Sequence, residues 1–474
     1  MNNDTIAATK TVYDDAKPMW DKTTDLCSGT DGMRKQGTKY IPKYDNVEEN
    51  TRYNYRINRT FLLEKYKETI DRYSGRPFAK PIIVENLPEG YEYLINNVDG
   101  KGMSITELAK NVLWSAIDKG VDFIIVDYPA NDKGTRKTLA EDMKLRPVIN
   151  QISAENMLYW EVKHVDGVPK LSMVRFKEEV PEADDMGEKI VEQIKVMTRA
   201  SAETQGTGIW ETWRKNDKQE WVPYESGTYT FPEIPIIPVY GNYECYFNGT
   251  PALMRLAELN IQHWMLSSDY YWNLYYCMGV WEMKGATDEE VKKGVTLGAG
   301  AVKAFTDTAA GISHKEPVGK SLEAQRQALQ DIKTEMESMG AEPGMSARVN
   351  VSATGQWQNQ NKANTDQEIW VREMEEKIAK TIECALMWKG VELPTDFKLN
   401  IVFDPKVNTG KDDYTHIEKM SERGVITAET QIREAQRRGI LSDDIDAEEE
   451  SASAKEERSQ AMMIVPGYDE GGEE

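Results

Sequence analysis

The chain has 474 residues and a mass of 54.0 kDa, with 58 Lys and Arg against 80 Asp and Glu, a formal net charge of −22. Its 39% hydrophobic and 9% aromatic content suffices for roughly two to four folded domains, while a mean hydropathy of −0.63 and no apolar run of spanning length argue against a membrane-spanning protein. Cys27, Cys245, Cys277 and Cys384 form no CxxC pair, which excludes a Cys-rich zinc module or disulfide scaffold and suits a reducing compartment, and the acidic balance disfavours tight wrapping of nucleic acid.

The N-terminal stretch MNNDTIAATKTVYDD lacks the basic-then-apolar pattern of a signal peptide. The first fifty residues are polar with little periodicity and read as an arm or a few short helices. Residues 52–73 (RYNYRINRTFLLEKYKETIDRY) read as one helix, closed by Ser74, Gly75 and Pro77. Ser104 and Glu107 form a capping box opening a helix to about Asp118. Gly120 stops it, and VDFIIVDY (121–128) is a buried strand. From 146 to 240 the pattern changes to short β runs: RPVINQIS, MLYWEVKHV, KLSMVRFKEEV, KIVEQIKVMTRA, GIWETWRK and EWVPYE. FPEIPIIPVY (231–240), with three prolines, is an extended edge segment.

Thr250 and Pro251 predict a helix start, with no breaker until Gly279. A Gly-dense segment, 278–320, contains a second capping box at Thr287 and Glu290. Ser321 caps a helix with an apolar stripe at Leu322, Leu329, Ile332, Met336 and Met339, closed by Gly340. Residues 341–362 form a polar loop, and Thr365 and Glu368 open a third long helix ending at Lys389 and Gly390. A lone strand, FKLNIVF (397–403), precedes helical patterns at 412–422 and 427–438. Residues 443–474 carry twelve acids against Lys455 and Arg458, a solvated helix with a loose end.

Enzyme motifs are missing. The sequence around Gly410 and Lys411 lacks the upstream glycine and following hydroxyl of a phosphate loop, and neither HExxH nor GxSxG occurs. Asp412, Asp413 and His416 read as a solvated helix turn rather than a metal set, and His263 beside Trp264 as a satisfied core histidine. The expectation is a non-enzyme with no catalytic residue, metal or cofactor. The competing reading is a cytosolic α/β enzyme with unrecognised carboxylate chemistry, which would show convergent polar groups of shifted pKa in a pocket.

The order of elements resembles the portal proteins of tailed bacteriophages, the ring-forming head–tail connectors of one capsid vertex. GVDFIIVDYP followed by RPVINQISAENMLYWEV is similar to the "G-hydrophobic-VDYP … RP … Y-x-x-EN-hydrophobic" pattern of one portal subfamily formerly of unassigned function. IPIIPVYG with GTPALMRLAELNIQHWMLSSDY is similar to its "IP-hydrophobic-P-hydrophobic … PL-x-x-LA-x-LN-x-x-H … SSDY" segment, and VTLGAGAVKAF and LEAQRQALQDIKTEMESMGA also fit. The similarity covers about residues 50 to 400.

The resemblance implies an α+β portal-type subunit. Its parts would be an N-terminal arm (1–50), a wing (51–250 with strand 397–403), a first stem helix (251–277), a clip (278–320) and a second stem helix (321–340). A tunnel loop (341–362), a long wing helix and returning strand (363–410) and a crown with acidic tail (411–474) would follow. It implies a homo-oligomeric ring of twelve copies in the virion, assembled in the host cytoplasm. Its partners would be double-stranded DNA packaged and ejected through the channel, the terminase large subunit, the head–tail adaptor, and the major capsid and scaffolding proteins, with no membrane.

The DNA-facing candidates are Arg348, Gln356, Trp357, Gln358, Asn359, Gln360 and Lys362, since uncharged amides suit weak contact with a moving duplex. Lys284, Glu289, Lys292 and Lys293 are candidates for clip docking, against the plainer reading of surface lysines that serve solubility. Trp264, Tyr271, Trp272, Tyr275, Leu329, Ile332 and Met336 are stem candidates for the subunit interface. A helix aromatic on several faces is buried either in its own core or between neighbours, and both readings stay open.

Overall fold

The computed structural model describes residues 5–45, 48–127, 146–165, 167–184, 187–201, 206–229, 231–276, 280–285, 311–315, 320–339, 353–403, 411–437, 441 and 445–463. It is 49% helical and 26% strand, with helices and strands segregated along the chain rather than alternating, an α+β arrangement. The helices are α1 (Thr11–Cys27), α2 (Gly29–Gln36), α3 (Asn50–Arg59), α4 (Lys65–Gly75), α5 (Tyr93–Asn96), α6 (Ile105–Lys119), α7 (Met254–Tyr276), α8 (Lys320–Met339), α9 (Ala353–Trp388), α10 (Lys411–Glu422), α11 (Ala428–Arg437) and α12 (Ala447–Met463). The strands β2 (Val121–Asp127), β3 (Val148–Ser153) and β9 (Ile236–Tyr240) make one antiparallel sheet in the order β3-β2-β9, after the short β1 (Ile83–Glu85). A second, sequential sheet joins β4 (Met157–Val165), β5 (Val168–Asp184), β6 (Gly187–Thr198), β7 (Gly208–Lys215) and β8 (Trp221–Tyr229).

α6 is set by its ends. Ser104 accepts a hydrogen bond from the Glu107 amide while the Glu107 side chain bonds back to Ser104, and Gly120 closes the helix at φ 91°. Ile105, Leu108, Ala109, Val112, Leu113, Ala116 and Ile117 recur at helical spacing and are buried. They pack on β2, whose residues from Val121 to Val126 are buried on both faces, so that strand reads as an apolar run broken only by Asp122. The proline-rich segment ends in β9, which pairs with β2 at the sheet edge as its three prolines require. Downstream, β14 (Lys398–Asn400) returns to pair with β1, Leu399 opposite Val84.

Two expectations for the N-terminal region are corrected. Of the two readings of the first fifty residues, an arm or a few short helices, the described residues take the second, as α1 and α2, and they are not an arm. Ile6, Tyr13, Ala16, Trp20, Leu26, Met33, Tyr40 and Ile41 belong to the main core. Lys119 fastens α1 to the end of α6, its ammonium donating to Trp20 O at 3.0 Å and Thr23 Oγ1 at 3.3 Å, with Asp118 at 3.2 Å and Glu155 at 3.3 Å as counter-charges. Tyr66 OH donates to Asp118 at 2.9 Å, which brings α4 into the same polar knot.

The helix expected over 52–73 is two. It breaks at Thr60, whose backbone is extended, and Asn260 of α7 takes up the freed backbone groups. Its carbonyl accepts from Tyr66 N at 3.0 Å and its amide donates to Leu63 O at 2.8 Å, with the side chain wholly buried. A buried amide far along the chain outweighs the local helical pattern.

Asp122 on β2 is fully buried, its Oδ2 accepting from Gln151 and its Oδ1 without a hydrogen-bond partner among the described residues. Burial pushes its pKa well above the ordinary carboxylate range, so it is held in the protonated form. Because the folded-state pKa is raised, its stabilising contribution is complete below the unfolded value of about 4 and is lost as pH rises through the folded value. Asp122→Asn copies the protonated acid. The variant should match the parent near pH 4 and become progressively the more stable of the two as pH rises. Parallel urea midpoints that do not diverge with pH would contradict this.

Candidate functional site: the helix pair and its strand hairpin

α7 and α8 run antiparallel as one unit. Arg255 near the start of α7 pairs with Glu335 near the end of α8 at 2.9 Å, and Asn273 near the end of α7 donates to Gln325 of α8 at 3.1 Å. At 1.5 Å per residue the 23-residue α7 is about 35 Å long and the 20-residue α8 about 30 Å. Beyond their far ends β12 (Val280–Lys284) and β13 (Gly311–Lys315) pair antiparallel, Glu282 opposite Ser313.

The base of α7 is anchored at a close backbone crossing. β9 ends at Tyr240, and the short strands β10 (Tyr243–Cys245) and β11 (Asn248–Gly249) follow. Gly241 N and Asn242 N both donate to Gly120 O, at 2.9 and 3.2 Å, and Ala252 N donates to Ile117 O at 3.0 Å. Trp370 of α9 donates its indole N–H to Gly241 O at 2.7 Å. α7 itself starts at Met254, three residues after the expected start, because Pro251 sits in the turn whose carbonyl accepts from Met254 N.

A second clamp grips the middle of α7. Arg56 of α3 is buried and donates to Pro42 O at 2.8 Å, to Glu48 at 3.1 and 3.3 Å, and to Ser268 Oγ at 3.3 Å. Its guanidinium lies 4.0 Å from the Tyr44 ring centre, and Tyr44 OH donates to Asp269 at 2.7 Å. No sequence pattern flagged this pair: Arg56 and Glu48 are eight residues apart and look like surface charges. Next along the helix, Tyr55 meets Trp272 and Tyr275 edge-on at 6.5 and 5.7 Å. Arg59 stacks on both Tyr55 and Tyr275, at 4.2 and 4.3 Å.

The stem candidates divide by burial. Trp264, Trp272 and Met336 are buried within the chain, the core side of the two open readings. Leu329 and Ile332 are half-buried, and Ile332 packs against the main core. Tyr271 and Tyr275 stay exposed, with Leu274 between them on the same helical arc. His263 also differs from expectation. It is half-buried with Nδ1 unpartnered among the described residues, and burial followed by the charge of Lys333 lowers its pKa, which keeps it neutral at physiological pH.

Part of the segment expected as a loop, residues 353–362, is helical, and 341–352 lies outside the described residues. α9 begins at Ala353, so Gln356, Trp357, Gln358, Asn359, Gln360 and Lys362 sit on helical backbone, and the helix spans 36 residues. The polar, amide-rich composition of 353–362 hid a helix that continues an amphipathic one. Arg348 lies outside the described residues, as do Glu289, Lys292, Lys293 and the capping box at Thr287. Lys284 is exposed at the end of β12. Among the described residues no group of three or more His, Cys, Asp or Glu is placed to hold a metal, and no helix is long and apolar enough to cross a membrane. The strongly perturbed carboxyl, Asp122, is buried in the sheet and is not among the residues lining the open cleft of Asp99, Met103, Glu107 and Asn111, though the Gln151 amide reaches both Asp122 and Asn111 O.

A family model described as a domain of unknown function (DUF4055) matches residues 252–389, the stretch from the start of α7 to the end of α9. No curated protein sequence matches the chain. Among solved structures, the chain is similar to one in the neck of an empty gene transfer agent (GTA) particle computed with C6 symmetry, at 11% identity and a TM-score of 0.38, over 78% of this chain and 88% of that one. It is similar to a chain in the neck of the native particle computed with C12 symmetry, at 11% identity and a TM-score of 0.38, over 85% and 89%. A chain in the virion of the native gene transfer agent particle gives 10% identity and a TM-score of 0.36, over 78% and 88%.

Proposed function

We propose that the chain is the subunit of a portal-type ring at one vertex of a tailed-phage-like particle, a conduit through which double-stranded DNA is packaged and later ejected. The observation that carries this reading is the antiparallel pair α7 and α8, rooted in an α/β body at one end and bearing the β12–β13 hairpin at the other. That is the stem–clip–stem layout which the VDYP and IPIIPVYG motifs imply. The family model spans the same stretch. In this reading α7 and α8 line the ring. The clip residues, Lys284 with Glu289, Lys292 and Lys293, dock the terminase large subunit and then the head–tail adaptor. The first turns of α9, carrying Gln356 to Lys362, face the DNA, together with Arg348, which precedes them in sequence. The chain's part is mechanical, with ATP hydrolysis left to the motor, and a ring forms by one surface docking onto a different surface of the next copy.

Light scattering after size exclusion, with negative-stain images of the peak, tests the architecture. Twelve copies of 54.0 kDa give about 650 kDa with a central hole. A closed dimer without a hole overturns the ring.

A further inference from the structure

α3 and α7 build a face whose aromatic side chains stay exposed. Its apolar centre is Tyr55, Tyr271, Leu274 and Tyr275, with Phe61 just beyond α3 exposed at 61%. Arg59 lies on it, stacked between two tyrosine rings, with no carboxylate within ion-pairing distance among the described residues. Solvent-exposed aromatics holding an arginine flat are the composition of a protein-binding hot spot.

A second feature of the same chain is also incomplete alone. β5 and β6 run past the rest of their sheet. β4 pairs with β5 only as far as Phe176, and β7 pairs with β6 only from Gln193 onward. From Glu178 to Asp184 the ribbon has two strands and reaches about 23 Å at 3.3 Å per residue. A two-stranded ribbon is marginal in water without something packed on it. On one face of it Pro181 lies opposite Ile190, which is 65% exposed, and Glu179 lies directly opposite Glu192. Like charges in directly opposed positions destabilise a strand pair unless a cation comes between or against them. Glu192 is met by Lys177 at 3.1 Å and Lys215 at 3.7 Å, whereas Glu179 has no ion pair among the described residues. Residues 178–192 together carry seven carboxylates against the single Lys189.

We propose that the β5–β6 ribbon of one copy docks on the α3–α7 aromatic face of the next, forming the seam between neighbours. The two surfaces complement each other in both respects. Pro181 and Ile190 offer an apolar centre to Tyr55, Tyr275 and Phe61, and Glu179 with Glu192 offers carboxylates to Arg59. Because the two surfaces differ, the contact is head-to-tail and adds copies in one direction, as a ring needs. The assignment rests on the ring reading and names the surfaces that would make it.

Charge exchange tests it on the full-length chain. Arg59→Glu alone should reduce the assembly to particles of 54.0 kDa by light scattering, and so should Glu179→Lys with Glu192→Lys. Mixing the two variants, or combining all three substitutions in one chain, should restore the wild-type assembly, because each altered surface then meets its opposite charge. Restoration also shows that the variants are folded. A wild-type ring that both variants still form removes this seam and leaves the ring reading standing. Variants that dissociate but are not restored by mixing or by the triple combination also overturn the pairing. A wild type that stays at 54.0 kDa, with no complex in the mixture, overturns the seam and the ring together. Binding of a fluorescent duplex that Arg59→Glu abolishes while assembly is unchanged assigns the face to nucleic acid instead, and equally overturns the proposal.

Discussion

Replacing Arg56 by Ala should lower the stability of the fold by about 3–5 kcal/mol, the cost of breaking a buried ion pair and stranding its partner. Arg56 and Glu48 are both almost fully excluded from water, 3.1 Å apart at their nearest charged atoms. Removing the guanidinium leaves Glu48 without its counter-charge. It also withdraws the donors to Pro42 O and Ser268 Oγ and the plate over which Tyr44 lies. Glu48→Gln should cost less, since the amide can still accept from Arg56. Replacing both at once with Met should recover much of the loss, because nothing charged is then buried alone. Urea unfolding followed by tryptophan fluorescence reads the difference, and a shift below about 1 kcal/mol for Arg56→Ala would show the pair to be solvated. Trp272, next to the clamp, should report its loosening directly, through a red-shifted emission.

A methyl group at Gly241 should be more damaging still. An added Cβ there would lie 2.1 Å from Ala116 O and 2.5 Å from its carbonyl carbon, backbone atoms that cannot swing aside. The two chains approach this closely because Gly120, at φ 91°, turns its carbonyl toward the Gly241 and Asn242 amides. Gly241→Ala must therefore push α6 and β9 apart, break those bonds and misplace the start of α7, at a cost above about 3 kcal/mol. The expected result is loss of soluble protein, or a midpoint shifted well below that of the parent. Gly187→Ala is the matched control: its Cβ would meet nothing within 4 Å, so the variant should behave as the parent does. Equal stability of Gly241→Ala and the parent would mean that the crossing relaxes and does not root the helix pair.

Both positions escaped the sequence reading, for one reason. Arg56 follows a polar stretch, and Gly241 follows a proline-rich strand where glycine is ordinary turn chemistry. Their importance comes from atoms contributed by distant parts of the chain, Ser268 in one case and Ala116 in the other. The break at Thr60 belongs with them, since the pattern across residues 52–73 is helical throughout and only the Asn260 amide, some two hundred residues away, makes the interruption stable.

What the sequence by itself determined was every element whose signal is local. The Ser104 and Glu107 capping box, the stop at Gly120, the apolar run of β2, the strand series after Arg146, the prolines of the edge strand β9 and the apolar stripe of α8 all rest on neighbours within a turn or a strand pair. The order of those elements, with its motifs, also carried the portal reading. Only the tertiary structure decided which apolar residues are spent inside the chain and which remain for a partner. Periodicity marks a face as apolar without saying what covers it. Trp264 and Trp272 are buried within the chain, Trp272 against Tyr55 of α3, while Tyr271 and Tyr275, on the same helix, are left partly in water.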